Sequence, residues 1–152
     1  MTFKYYFEDF VVGRVFESGT RQLSEADMLG FAREYDPQYF HTDPEAAKKS
    51  IFGGLIASGC QTFGVCMRLM CDSYLLESCS MGSPGVDEVR WLKPVYPGDT
   101  LRLTTTVIAA KPSSSKPDRG VTTMRWDIYN QKDERVMHMQ GMQIMARRPA
   151  AC

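Results

Sequence analysis

The chain has 152 residues, enough for one domain with a substantial core and too few for two ordinary ones. Its composition, 43% apolar and 24% charged, is that of a globular protein and excludes a disordered chain. Lys+Arg and Asp+Glu balance at 18 each, which argues against a broad electrostatic grip on nucleic acid or on an anionic membrane. Any phosphate-bearing ligand would be held by a few local basic groups. Cys60, Cys66, Cys71, Cys79 and Cys152 form no Cys-x-x-Cys pair and have too few histidines nearby for a zinc set, so no metal site is expected. They read as reduced thiols of a cytoplasmic protein. The amino terminus lacks the basic-then-apolar pattern of a signal peptide, and no stretch reads as a membrane span.

In chain order, Val15 to Leu23 is a plausible first strand. Ser24 followed by Asp27 opens a helix with a capping-box pattern, and Met28, Phe31, Ala32 and Tyr35 fall on one face of it. The helix should end at Asp36, because Pro37 biases its predecessor away from helical angles. Asp43 before Pro44 reads as the N-cap of a short helix reaching about Lys49. Leu55 to Leu76 is a long apolar run with only Arg68 and Asp72 charged, expected to be one helix buried on most sides. Val86–Val95 is the next expected strand, closed by the turn residues Tyr96-Pro97-Gly98-Asp99. Leu101 to Ala109 alternates apolar and polar residues with the period of a half-buried strand. Lys111–Gly120 is a polar loop, and Val121–Asn130 with Arg135–Ala146 reads as a hairpin. Residues 147–152 are expected as a loose tail. One long helix against about four strands joined by short turns predicts an α+β domain with an antiparallel sheet. An open sheet of this kind has edges to protect, which makes a homodimer the default expectation.

The chemistry concentrates at Asp36-Pro37-Gln38-Tyr39-Phe40-His41, where a carboxylate and an imidazole stand five residues apart on a stiff, non-helical bend anchored by Tyr39 and Phe40. A carboxylate and a His within reach of one water are what general acid–base catalysis needs, and His titrates nearest neutrality. A purely structural role competes with this: Asp-Pro is common at turns, and His41 could be a spacer ahead of the Asp43 cap. Only two His residues occur in the chain, and this one sits between a Pro-locked bend and the Gly53-Gly54 entry to the long helix.

These segments together, Asp36–Pro44, Phe52-Gly-Gly-Leu-Ile-Ala-Ser-Gly59 and Trp91-Leu-Lys-Pro-Val-Tyr-Pro-Gly-Asp99, resemble the MaoC-like dehydratases, relatives of the (R)-specific enoyl-CoA hydratases. Phe7–Gly13 and Leu23–Asp27 extend the likeness over nearly the whole chain. The resemblance implies a hotdog fold, in which the sheet wraps the long helix, and an acyl-CoA site near a dimer interface. It places the family's catalytic Asp and His on Asp36 and His41, and its backbone oxyanion donor on Gly59. It implies no cofactor, since coenzyme A arrives as part of the substrate. Gln38, Phe40 and Ser58 would lie near the acyl group. Gln38 and Tyr39 stand where well-studied hydratases have Asn-Pro, Ser58 where they have His, and Met67 where they have Ser. Arg90 and Lys93 could meet a CoA phosphate or simply face solvent. The implied activity is reversible hydration of a trans-2-enoyl thioester. A hotdog thioesterase and a non-catalytic acyl-CoA-binding subunit are the competing readings. The assembly would be a homodimer or a dimer of dimers, with no nucleic-acid or membrane partner.

Overall fold

The structure is a computed structural model that describes residues 2–149. A 3-10 turn at Phe7–Asp9 leads into β1 (Val15–Gln22), α1 (Glu25–Tyr35), the single-turn helices α2 (Tyr39–Thr42) and α3 (Pro44–Ala47), and the long helix α4 (Gly59–Ser73). A second 3-10 turn, Leu75–Glu77, precedes β2 (Gly85–Trp91), β3 (Thr100–Pro112), β4 (Arg119–Tyr129) and β5 (Arg135–Ala146). All strand pairs are antiparallel, in the order β1-β3-β4-β5-β2. This is the expected α+β hotdog architecture, a single sheet curled against one central helix.

Local chemistry accounts for most of the elements. Ser24 caps α1 by accepting from the Asp27 N–H at 3.1 Å, and Asp27 answers with its carboxylate. The Asp43 carboxylate receives the N–H groups of Glu45 and Ala46, both at 3.0 Å, with Pro44 at the first helical position. Alternation along the strands sends Leu101, Leu103 and Val107, then Met124, Trp126 and Ile128, then Met137, Met139 and Met145 into one buried cluster. Val65, Cys66, Leu69 and Met70 of α4 fill the same cluster from above. Met137, Met139 and Met145 of the last strand are therefore packing residues, as their adaptable side chains suit them to be, while Met142 is half-buried outside this cluster. No helix among the described residues is long and apolar enough to cross a membrane.

Several boundaries differ from those read in the sequence, each for a nameable reason. The long helix begins at Gly59, not Leu55, because the Ile56 N–H is taken by the Phe40 carbonyl and the Ala57 N–H by Val95. It is not wrapped on every side: Cys60, Gly64, Met67, Arg68 and Asp72 form an exposed stripe. The strand expected over Val86–Val95 leaves the ladder after Trp91, where the N–H groups of Leu92 and Lys93 both turn to the Val136 carbonyl. The polar loop shrinks because Lys111 pairs with Val121 and Pro112 with Gly120. Tyr35 is exposed and does not share the buried face of Met28 and Ala32. The expected loose tail is docked where it is described: Arg147 and Arg148 pair with Glu8 and Asp9 at 3.1 and 2.6 Å. Residues 150–152 of that tail lie outside the described residues.

Candidate active site

The end of α1, the single turn α2 and the segment from Ile56 to Ser58 meet at the amino end of α4. The bend expected at Asp36–His41 is helical in its second half: α2 is one turn, and it swings His41 inward while Tyr39 stays exposed. Phe40 alone anchors the turn, against Phe52 with ring centroids 5.3 Å apart. Pro37 keeps α1 and α2 apart, and Asp36 sits between them as the C-cap of α1. His41 is 5% exposed. Its Nδ1 lies 2.9 Å from the Ile56 carbonyl. A carbonyl can only accept, so Nδ1 carries a hydrogen and Nε2 is left as the atom that exchanges protons. Nε2 is 3.3 Å from Asp36 Oδ2.

Asp36 is held from both ends. The Ser58 hydroxyl donates to Oδ2 at 2.6 Å, and the Gln38 amide donates to Oδ1 at 2.8 Å. Burial alone would push the carboxyl up, but those two donors and the neighbouring His41 outweigh it and hold its pKa below the usual value. Ser58 is fully buried and also accepts the Cys60 N–H as the N-cap of α4. Its hydroxyl is thus committed to Asp36 and to the helix. Gln38 is likewise engaged with the carboxylate.

Gly59 opens α4, and its N–H donates to no acceptor among the described residues. Such amides lie at the positive end of the helix dipole. The Trp91 indole N–H donates to the Gly59 carbonyl at 3.0 Å. A Cβ at Gly59 would lie 2.6 Å from the Trp91 ring, so this approach requires glycine. The sequence shows Trp91 as a strand residue and as the start of a segment resembling the MaoC-like family, but a contact across 32 positions leaves no local signal. Beside Gly59 is a hollow of about 310 Å³ that Phe52, Thr62, Trp91 and Lys93 help to line. Farther along α4, between it and β2, is an apolar cavity of about 340 Å³. Lys93 pairs with Glu134 and Arg90 with Glu88, both near the surface. His138 stands apart, with Nδ1 3.0 Å from Asp127 on the face of the sheet opposite the core. No cluster of metal-ligating side chains occurs among the described residues.

The arrangement joins a proton-exchanging imidazole, an ionised carboxylate and an unpaired helix amide, the parts from which acid–base chemistry next to a developing oxyanion is built. Comparison with known proteins gives the same direction. Residues 9–125 match the family model described as MaoC like domain. The chain is 33% identical over 129 residues to the uncharacterized protein YdeM of Bacillus subtilis, covering 85% of this chain and 90% of that one. It resembles the crystal structure of the MaoC-like dehydratase from Rhodospirillum rubrum with a TM-score of 0.86 and 40% identity, covering 95% and 99% of the two chains. The R-hydratase PhaJ1 from Pseudomonas aeruginosa, at 23% identity, shares the fold with a TM-score of 0.75 over 95% of this chain and 86% of its own.

Proposed function

Because the chain belongs to the MaoC-like domain family, whose members include dehydratases, we propose that it adds water reversibly to the double bond of a trans-2-enoyl-CoA or related acyl thioester. The observation that carries this reading is the contact between Asp36 and His41, with Asp36 also bonded to Ser58, the residue just before the unpartnered amide of Gly59.

The thioester oxygen rests on the Gly59 N–H, and the acyl tail runs along α4 toward the apolar cavity. A water molecule hydrogen-bonds to Asp36 and His41 beside their contact. As its oxygen attacks Cβ, Asp36 takes its proton and the double-bond electrons move onto the thioester oxygen as an enolate. The Gly59 amide stabilises that charge. Imidazolium His41, held by Ile56, returns a proton from Nε2 to Cα, which completes syn addition. The proton on Asp36 then passes back across the short gap to His41, and the pair is reset. Dehydration is the same path reversed. Phe40 and Gln38 border the reacting carbons in this reading, Ser58 positions the carboxylate, and Lys93 with Arg90 meets the CoA phosphates at the mouth. Coenzyme A enters as part of the substrate, and the enzyme works in the cytoplasm.

The test is incubation of the purified protein with crotonyl-CoA and medium-chain enoyl-CoA. Loss of the conjugated-enone absorbance without release of thiol is expected. Asp36→Asn and His41→Ala should each lower turnover at least about a hundredfold with the fold intact by circular dichroism. Thiol release would instead identify a thioesterase, and near wild-type rates in either variant would remove the pair from the mechanism.

A further inference from the structure

One polar group in the wall of the apolar cavity is deeply buried. Phe63, Met67, Met70, Trp126 and Met139 line it, together with the exposed Ser80 and Ser83, and no charged side chain does. Gln143, on β5, also lines it and is 5% exposed. The order of donors around Gln143 determines how its amide lies. The Trp126 indole N–H can only donate, and it does so to the Tyr74 hydroxyl oxygen at 3.2 Å. The hydroxyl hydrogen of Tyr74 therefore goes to its other neighbour, Gln143 Oε1, at 3.1 Å. That turns the amide nitrogen away from Tyr74, and its contact there is the Met70 sulfur at 3.5 Å. A thioether is a weak acceptor and the amide nitrogen carries two hydrogens. One hydrogen of the buried amide goes to a weak thioether acceptor, and the second has no acceptor among the described residues at the cavity wall.

The cavity is also placed to receive one end of a ligand whose other end lies at Gly59. Gly59, Phe63, Met67 and Met70 are spaced at helical intervals and share one stripe of α4. Met70 lies roughly 16 Å along the helix from Gly59, given the rise of an α-helix. A crotonyl group would stop well short of it, and a medium-chain tail would enter the cavity, whose near wall at Phe63 is about 6 Å along the helix from Gly59.

We propose, resting on the hydratase reading, that this enzyme prefers medium-chain enoyl thioesters whose tail carries a neutral hydrogen-bond acceptor near its end, received by the Gln143 amide. A keto or ether oxygen fits, since it accepts without charge. A terminal carboxylate does not, because the wall offers no cation to balance it once desolvated.

The experiment compares kcat/KM for three medium-chain trans-2-enoyl-CoA thioesters of equal length: a plain alkyl tail, one with a keto group at the penultimate carbon, and one ending in a carboxylate. The keto substrate should exceed the alkyl one by about tenfold or more, since a site built to donate a hydrogen bond discriminates against a tail that cannot accept it. The carboxylate should be the poorest. In Gln143→Leu the keto-to-alkyl ratio should fall to about one. Because that change strips Tyr74 of its acceptor, the pair Gln143→Leu with Tyr74→Phe is measured beside it, with thermal melting as the check on folding. An alkyl or carboxylate preference in the wild type, or a keto preference that survives in a folded variant, overturns the proposal. If none of the three is hydrated, it is the hydratase reading that fails.

Discussion

Asp36 receives a hydroxyl on one oxygen and an amide on the other, and both donors favour its ionised form. If the carboxylate is the base that accepts the water's proton, the acid limb of the kcat/KM profile reports its pKa in the free enzyme. Removing either donor leaves the burial that disfavours charge while subtracting a group that stabilises it, so the pKa rises. Ser58→Ala and Gln38→Leu should therefore each move the acid limb to higher pH and leave the alkaline limb in place. The two variants also separate chemistry from folding. Ser58→Ala removes the cap of α4 and should cost about 1 kcal/mol in a denaturant titration. Gln38 is the N-cap residue of α2 but its side chain makes no capping bond there, so Gln38→Leu should not. A profile unmoved by both would mean that Asp36 is not the group titrating on the acid side. Ser58 illustrates a limit of the sequence at this scale. The resemblance places it beside the acyl group, and the apolar run, which reads as a helix from Leu55, gives no sign that it caps α4. Its second bond, 22 residues back to Asp36, has no sequence signature.

The junction of α4 with β2 is built on glycine and tryptophan. The indole of Trp91 occupies the space that a side chain at position 59 would need. Gly59→Ala must therefore displace the end of β2 or the first turn of α4, and either movement shifts the amide proposed to hold the thioester oxygen. A loss of at least about tenfold in kcat/KM is expected, in line with the cost of misplacing an oxyanion donor. Adding Trp91→Ala should recover part of that loss, because contacting residues are not additive; a double variant as poor as the product of the two singles would refute a steric origin. Elements such as α1, α3 and β3 were legible because their signals are local: Ser24 with Asp27, Asp43 with Pro44, and the alternation from Leu101. The start of α4 was not. An apolar run records burial but not which backbone groups are already taken, and Ile56 and Ala57 are claimed by Phe40 and Val95 from other segments. The pairing of Asp36 with His41 was legible because both lie in one hexapeptide. The tautomer was not, because the Ile56 carbonyl lies 15 residues on.

The two edges of the sheet share some features and differ in one that bears on assembly. β1 presents Glu17, Ser18, Thr20, Arg21 and Gln22 with one exposed apolar residue, Val15, and its pairing with β3 is broken by an irregularity between Glu17 and Thr20. Polar residues and a bulge are how an edge strand avoids a partner; β2 has its own irregularity between Val86 and Glu88 and carries Asp87, Glu88 and Arg90 there, so the difference lies at its Trp91 end. At the other edge, β2 and the residue after it expose Val86, Trp91 and Leu92, at 42%, 54% and 46% of their surface. Within one chain that edge pairs only with β5 on its inner side. The apolar end of this unpaired edge, at Trp91 and Leu92, is where a second copy can extend the sheet by antiparallel pairing, and a two-fold axis would let each copy offer the same strand. A homodimer formed through β2 is therefore the arrangement to test; that strand also lies against the hollow beside Gly59 that Trp91 and Leu92 line, so such a dimer would couple assembly to activity. Sedimentation velocity should give a dimer for the wild type, and Leu92→Asp should shift it toward monomer by placing two like charges near the axis. The monomer should lose kcat/KM more than it loses melting temperature. The matching charge change on the polar edge, Thr20→Asp, should alter neither. A Leu92→Asp protein that stays dimeric would move the interface away from β2. One that is monomeric yet fully active would sever assembly from the site.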